Sequence, residues 1–493
     1  MYIQWKQIRS MIEIVIEKVL RNIAQPNSAI LGEKVSGITS NSKEVQPNFV
    51  FVAIQGVNVD GNQFIEEALN KEAVCVITDS NDIEETDRII KVKNARKALT
   101  CLASNYYGNP EKHIKTIGIT GTNGKTSTTL ILKDILEADG KKVIQVGTLG
   151  VVPDITNLNL SLTTPDSISL FQILHHAVKE EFDYAVLEVS SHALSQNRVD
   201  SIAFDAVGFT NLSLDHLDYH KSLENYFNDK KKLFNLIKDG NNPLVLSDSS
   251  YGEDICKDYP NSKKISLKND QADYFCTAFS VNQDGITGTM VSDSCSLEIN
   301  SELKGRYNLE NIILASSIAL ELGVQPSIVE KGINNCNYIS GRHENISKPG
   351  FPDIIVDYGH TPDAYVNILS SLKEIYPNKK IKVLFGAGGN RDQSKRTEMA
   401  KAVEQFATEC YVVPDNPRFE NINDINNDVV KGFSKDIYTV FDDREKGLLI
   451  ALEHLDTDDI LVIFGKGNEE FQEINGKKLH YSDRKIIDSF YAS

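Results

Sequence analysis

The segment KTIGITGTNGKTSTTLILKDILEADG, residues 115–140, constrains this chain more than any other. An apolar strand over Thr116–Thr120 runs straight into a glycine-bounded loop and then into a helical stretch, the order a phosphate loop requires. Gly121 and Gly124 allow the backbone to turn its N–H groups toward phosphate oxygens, and the helix N-terminus adds partial positive charge. With Thr122, Asn123 and Ser127 lining the same loop, Lys125 is placed for the outer phosphates of ATP and Thr126 for magnesium. The general pattern GxxxxGK[ST] would put glycine at 119, where this chain has Ile119, so the match is to the shorter GxxGKT. A Gly-rich turn that happens to carry a lysine is the plainer alternative.

At 493 residues the chain exceeds one ordinary core, and we expect an α/β protein of three domains. Residues 30–105 mix short strands (Phe49–Ile54, Val74–Thr78) with a helix near Phe64–Asn70. From Lys115 onward KTIGITG, VIQVGTLG, YAVLEVSS, DAVGFTNL and PLVLSDS alternate with helical stretches, which implies a parallel sheet with crossover helices. A third block begins near Ser340, where PDIIVDYG, KIKVLFGAGG, ECYVVPDN and DILVIFGKG read as a doubly wound α/β (Rossmann-like) domain. Ligands of such sheets sit beyond the carboxyl ends of the strands. The expected boundaries are 1–108, 109–340 and 341–493.

A net charge of −17 argues against a nucleic-acid or membrane-surface binder, whose affinity needs clustered Lys and Arg. The N-terminal MYIQWKQIRSMIEIVIEKVLRNI reads as an amphipathic helix, since Lys6, Arg9, Glu13, Glu17 and Lys18 interrupt any membrane-length run. Stable membrane insertion is not expected. Seven scattered cysteines, none spaced CxxC, suggest neither a disulfide framework nor a zinc site and fit a reducing cytoplasm.

GITGTNGKTSTT resembles the loop of the Mur ligases of peptidoglycan synthesis, and the resemblance covers nearly the whole chain. In family order follow TTP, EVSSHAL, FTNLSLDHLDYH, GRYN, GRHE, VDYGHTPDA, FGAGGNRD, DNPR and GKGNEE. The resemblance implies a small N-terminal α/β domain for the UDP-sugar, a central phosphate-loop ATPase domain and a C-terminal domain for the amino acid. It implies phosphorylation of a substrate carboxylate by ATP, then attack of an amine on the acyl phosphate, by a monomer in the cytoplasm.

The same resemblance supplies the residue roles. Ser42, with Ser40, Val57, Asn58 and Val59 beside it, lies at uridine-nucleotide positions, and Thr163, Thr164, Ser190, Gln196 and Arg198 at positions for the acidic UDP-MurNAc-L-Ala-D-Glu. Glu188, His216 and Lys230, the last if carbamylated, are expected to hold magnesium together with Thr126. Asn308, Arg342 and Asp357 match the remaining nucleotide-site positions, and His360 helps place the nucleotide. With Lys125, Glu188, His216 and Lys230 they form the expected catalytic set. Asp415, Asn416, Pro417 and Arg418 spell DNPR, the form associated with meso-diaminopimelate, whose second carboxylate a guanidinium can grip through two parallel hydrogen bonds. Arg391 offers a second cation, and Gly465 and Glu469 match positions that meet the amino acid.

Singly, these residues read equally as caps, ion pairs or turn residues. Asn390 in GGNRD, Asn468 in GKGNE and Gly359 in DYGHTPD depart from the family's usual Asp, His and Ala. A ligase using L-lysine or another diamino acid, and a nucleotide-binding relative without turnover, therefore stay open. Folylpolyglutamate synthetase fits less well, because residues 30–105 resemble a UDP-sugar domain that it lacks.

Overall fold

The computed structural model describes residues 12–56, 59–156, 158, 160, 162–348 and 350–492. They gather into two compact units, one comprising residues up to Thr120 with Gly140–Val207 and Asp229–Pro243, the other Gly121–Asp139, Gly208–Asn228 and the chain from Leu244 on.

The first unit opens with a four-stranded sheet, Gly37–Thr39, Phe49–Ala53, Cys75–Thr78 and Ile89–Lys91, paired in chain order and parallel throughout. Its strands Phe49–Ala53 and Cys75–Thr78 are wholly buried, so they read as unbroken apolar runs, as parallel strands covered on both faces do. Helix Ala95–Tyr106 lays a buried side over this unit, starting from Asn94, whose side chain accepts from the Lys97 N–H. Farther along, Tyr184–Glu188 pairs in parallel with Lys115–Thr120 on one side and with Val143–Gly147 on the other. Glu188 thus emerges at the carboxyl end of a strand buried along its whole length.

The N-terminal amphipathic helix is not borne out in its described part. Ile14 and Val15 form a strand antiparallel to Lys34–Val35, and only Ile16–Val19 is helical. Tertiary pairing of a β-branched pair outcompetes helical periodicity here. Residues 1–11 of that segment lie outside the described residues.

Besides the two-stranded hairpin Phe471–Ile474 and Lys477–His480, the second unit holds two larger arrays of strands. In one, the parallel strands Leu244–Leu246, Lys263–Ser266 and Tyr274–Asn282 continue into an antiparallel meander, Gly285–Ser292 and Ser296–Ser301. Gln283–Asp284 makes the first of its turns, between the paired residues Asn282 and Gly285. The other sheet has six strands, ordered Glu344–Asn345, Asp353–Asp357, Asp459–Phe464, Lys380–Phe385, Glu409–Val412 and Tyr438–Val440, parallel except at the first. Helices Pro362–Ile375 and Lys395–Glu404 pack on its core through Leu369, Leu372, Met399 and Val403. On the opposite core lie Leu448, Leu452 and Ile487, giving the doubly wound arrangement.

Helix Lys125–Ala138 buries Ile131, Leu132, Ile135 and Leu136 and packs on Arg306–Glu321 and Pro326–Asn335. A β-carbon on Gly332 would collide with the Ile135 backbone, so the helices approach more closely than any side chain allows. Gly332→Val should therefore lower stability by about 1–3 kcal/mol, read from the urea midpoint at unchanged m-value. A wild-type midpoint would show that these helices are not in tight contact.

Candidate active site

Gly124, at φ +84°, is the N-cap of helix Lys125–Ala138, and no side chain caps that helix. A helix N-terminus that opens on glycine in this way suits a phosphate anion. The loop is clamped from behind. Thr122 N–H donates to Asn211 O (2.9 Å), Asn123 N–H to Asn211 Oδ1 (2.9 Å), and Thr210 Oγ1 to Asn123 O (2.6 Å). A β-carbon on Gly121 would run into Thr210 Oγ1, and one on Gly124 into Asn311 Oδ1. Both glycines are therefore dictated by close approach. Lys125 Nζ donates to the loop carbonyls of Gly121 (2.8 Å) and Thr122 (2.7 Å), which holds the ammonium at the loop's mouth. Thr126 and Ser127 are buried behind it.

Several residues distant in sequence converge on this loop within the second unit. Arg342 Nη2 donates to Thr126 Oγ1 at 3.1 Å, while its guanidinium lies 4.4 Å over the Tyr358 ring. Asn123 Nδ2 donates to Asp363 Oδ2 (3.1 Å), and Thr122 Oγ1 lies 3.1 Å from the Tyr226 hydroxyl. Buried Asn308 accepts from Asn311 Nδ2 (3.2 Å), and the Asn311 amide oxygen accepts from Thr128 Oγ1 (3.2 Å). Asn308 is thus joined to the helix that starts at the loop.

Asp357 ends its strand fully buried, accepting from the N–H groups of His343 (2.7 Å) and Gly359 (2.5 Å). Burial raises its pKa, opposed by Arg342 and by those two N–H groups. Asp215 behaves oppositely. Burial pushes its carboxyl up, but Lys395 (3.1 Å), His216 (3.4 Å) and His360 (3.7 Å) together hold it well below the usual carboxylate range. His216, in the left-handed region at φ +57°, and His360 thus meet across one anion.

In the first unit, both oxygens of Glu188 are occupied from one residue. Thr148 N–H donates to Oε1 (2.9 Å) and Thr148 Oγ1 to Oε2 (3.1 Å). Thr163 and Thr164 join the same network. Thr148 Oγ1 lies 3.4 Å from Thr163 Oγ1, and Thr164 Oγ1 donates to the Glu188 carbonyl at 2.7 Å. Ser190 N–H donates to Thr164 Oγ1 (2.9 Å), and Arg198 donates to Thr164 O and to Gln196 Oε1 (2.8 Å each). Lys230 is 1 % exposed, whereas Lys231 and Lys232 reach solvent, which sets it apart within the KKK run.

At the far end of the second unit, Arg418 sits at φ +53°, with Nε on Glu473 Oε2 (3.1 Å) and Nη1 on Gly389 O (2.7 Å). Asn416 Nδ2 donates to Glu469 Oε2 at 3.2 Å, and Asp415, Asn416 and Pro417 are buried. Gly465 N–H donates to Asp357 O (3.0 Å). Arg391 is exposed and is not drawn into this network. Of the uridine positions, Ser42 is buried, Ser40 and Val59 are exposed, and Val57 and Asn58 lie outside the described residues.

Sequence reasoning passed over Thr148, Thr210, Asn211, Asp215, Asn311, Asp363, Lys395, Lys466 and Glu473. Thr210, Asn211 and Asp215 lie inside FTNLSLDHLDYH, and their place just beyond a strand end was the available signal. Asp363 and Lys466 lie inside VDYGHTPDA and GKGNEE, and the others carry no local signal, because the partners that matter are far away in sequence.

A phosphate loop with a guanidinium on its Thr126, at the edge of parallel α/β sheets, defines a nucleotide-using α/β enzyme. Comparison with known proteins narrows this. Residues 34–107 match the model of the Mur ligase family catalytic domain, 119–319 the Mur ligase middle domain, and 341–467 the Mur ligase glutamate ligase domain. A UDP-N-acetylmuramoyl-L-alanyl-D-glutamate--2,6-diaminopimelate ligase of Clostridium tetani is 35% identical over 481 residues, 96% of this chain and 97% of that protein. A solved structure of a ligase with that name aligns with TM-score 0.69 at 27% identity, covering 97% of this chain and 99% of that one. The MurF ligase of Thermotoga maritima, solved with ADP, shares the fold at TM-score 0.60 and 20% identity, covering 87% of this chain and 93% of that one. The chain belongs to the Mur ligase family, and it is an ATP-dependent amide-forming ligase. No helix among the described residues is long and apolar enough to cross a membrane.

Two predictions follow from this geometry. Gly124→Ala, strained in backbone and driven against Asn311, should weaken ATP binding about tenfold or more, measured by calorimetry; unchanged affinity would contradict the loop's role. His343, buried and sharing a 2.6 Å hydrogen bond with the Tyr307 hydroxyl, has its pKa lowered to about 4 by burial, then by Lys304. The unfolded chain takes up a proton there as pH falls below about 6.5 that the folded chain refuses until about 4. Its share of stability is intact above that window and declines through it. His343→Gln should remove on the order of 2–3 kcal/mol of the stability change between pH 7 and 4.5, measured by urea unfolding at both pH values.

Proposed function

We propose that the protein adds meso-diaminopimelate to UDP-N-acetylmuramoyl-L-alanyl-D-glutamate in the cytoplasm, as a monomer, using domains bounded at 1–108, 109–340 and 341–493. Supporting the choice of amine is the fixed guanidinium of Arg418 in a pocket of anions. Glu473 and Gly389 O set its plane, and Asp415 Oδ1, buried 3.2 Å from the Lys466 ammonium, belongs to the same turn. A diamino acid with a distal carboxylate and a distal ammonium matches a guanidinium beside carboxylates. Lysine lacks the carboxylate.

In this reading the substrate's free carboxylate oxygen attacks the γ-phosphorus of ATP, and ADP leaves. The amine nitrogen of diaminopimelate then adds to the acyl phosphate carbon, loses a proton, and expels inorganic phosphate as the amide forms. Lys125 and the first-turn amides of helix Lys125–Ala138 hold the phosphates, and Arg342, anchored on Thr126, spreads the charge that develops on the transferred group. Asp357, itself held by two N–H donors, balances Arg342. Asn308 and His360 place the nucleotide. Thr163, Thr164, Ser190, Gln196 and Arg198 present donors to the muramoyl peptide, with Ser40, Ser42 and Val57–Val59 at the uridine end; Arg391 and Gly465 border the amine.

Magnesium suits the donor set. It binds through one or two protein oxygens plus phosphates and water, so it does not require the cluster of three acidic, His or Cys side chains that is absent among the described residues. The candidate ligands are Thr126 and His216 in the second unit and Glu188 and a carbamylated Lys230 in the first, and the ion would neutralise phosphate charge.

One observation favours a different amine: Glu473 already offsets the charge of Arg418. The two readings separate in a turnover panel with ATP, magnesium and UDP-MurNAc-L-Ala-D-Glu. Phosphate release should be faster with diaminopimelate than with lysine, and Arg418→Ala should raise KM for diaminopimelate about tenfold or more while leaving KM for ATP unchanged. Equal or reversed rates in the wild type would overturn the choice of amine.

A further inference from the structure

Lys466 is fully buried, yet it belongs to no role described so far. An isolated ammonium in the interior is expensive unless it is paired and hydrogen-bonded, so its neighbours show what it is there for. Nζ donates to Asn416 Oδ1 at 2.6 Å and to Phe471 O at 3.0 Å, and lies 3.2 Å from Asp415 Oδ1 and 3.3 Å from Glu469 Oε2. Three of these four neighbours are the side chains that approach the amino acid in the proposed reading. The fourth is the backbone of the hairpin Phe471–Ile474 and Lys477–His480.

That hairpin is laced onto the DNPR turn. Glu473 N–H donates to Asn416 Oδ1 (2.9 Å), Gln472 Nε2 to Asp415 O (2.7 Å), Arg418 N–H to Glu473 O (2.9 Å) and Asn475 N–H to Arg418 O (2.6 Å). Lys466 is the cation at the centre of this lacing. An ammonium is a donor only, so it fixes which way the Asn416 amide faces: oxygen inward to Lys466 and the Glu473 N–H, nitrogen outward to Glu469. It also keeps Asp415 ionised, for burial alone would raise that carboxyl, and Lys466, followed by Arg444, holds it below the ordinary range. The chain delivers Lys466 inward because Gly467, at φ +53°, turns tightly against Tyr358 and the Gly341 carbonyl.

We infer that Lys466 is a positioning residue for the incoming amino acid, which sets the Asn416 amide, the Asp415 and Glu469 carboxylates and the hairpin as one rigid receptor. This rests on the proposed function only in taking that turn to be the amine site. The phosphate loop and the first unit have no part in it.

Steady-state kinetics of Lys466→Gln and Lys466→Arg on the full chain test the inference. Lys466→Gln should raise KM for the amine at least tenfold, with kcat at saturating amine within threefold and KM for ATP and for the UDP-muramoyl peptide within twofold. Its preference for diaminopimelate over lysine should fall by a similar factor. Lys466→Arg keeps the buried charge and guards against a folding defect; it should melt within a few degrees of wild type and still raise KM for the amine severalfold. The inference is overturned if either folded variant binds the amine as wild type does, or if all three KM values rise together. Should the wild type prefer another amine, the proposed substrate fails, yet the KM split measured with that amine still tests Lys466.

Discussion

Close approach of the phosphate loop to its surroundings is the constraint on which the rest of the second unit depends. Gly121 against Thr210 and Gly124 against Asn311 leave no room for a side chain. The loop's backbone is therefore fixed by packing and by the Asn211 contacts to Thr122 and Asn123 without any ligand, which is how a binding site avoids reorganisation at the moment of reaction. Arg342 on Thr126 and Asp363 on Asn123 attach residues from the C-terminal stretch of the chain to the same loop. The buried carboxylates around it are compensated by neighbouring cations: Asp357 by Arg342, and Asp215 by Lys395 together with His216 and His360.

The amino-acid end follows a different logic. There the backbone of a hairpin and one buried cation, Lys466, organise three polar side chains whose orientation no local preference would fix. Buried polar networks of this sort are tolerated only when nearly every member is satisfied, and here the satisfaction comes from elements far apart in sequence. On the proposed reading, specificity for the amine depends on packing as much as on the DNPR letters themselves.

Much of this was legible beforehand. Each strand expected around the phosphate loop and in the C-terminal block is present, because buried parallel strands are written as continuous apolar runs and their helices as amphipathic ones. The buried state of Lys230 also separates it from Lys231 and Lys232, as register with the family motif suggested. The meander Tyr274–Ser301 was missed despite its alternating residues and its turn at Gln283–Asp284, and the N-terminal segment was misread because pairing of Ile14–Val15 with Lys34–Val35 is non-local. Glu188 was found from its strand end, but Thr148, which occupies both its oxygens, was not. Residues that act through others, such as Asn311 and Lys466, show their part only once the fold brings their partners together.

The central claim is that this chain activates a carboxylate by phosphorylation before forming an amide. It is tested most directly by labelling both free carboxylates of the D-Glu residue of UDP-MurNAc-L-Ala-D-Glu with heavy oxygen and analysing the phosphate released during turnover by mass spectrometry. The account predicts one heavy oxygen atom in the inorganic phosphate for each amide formed. Unlabelled phosphate accompanying amide formation would contradict it.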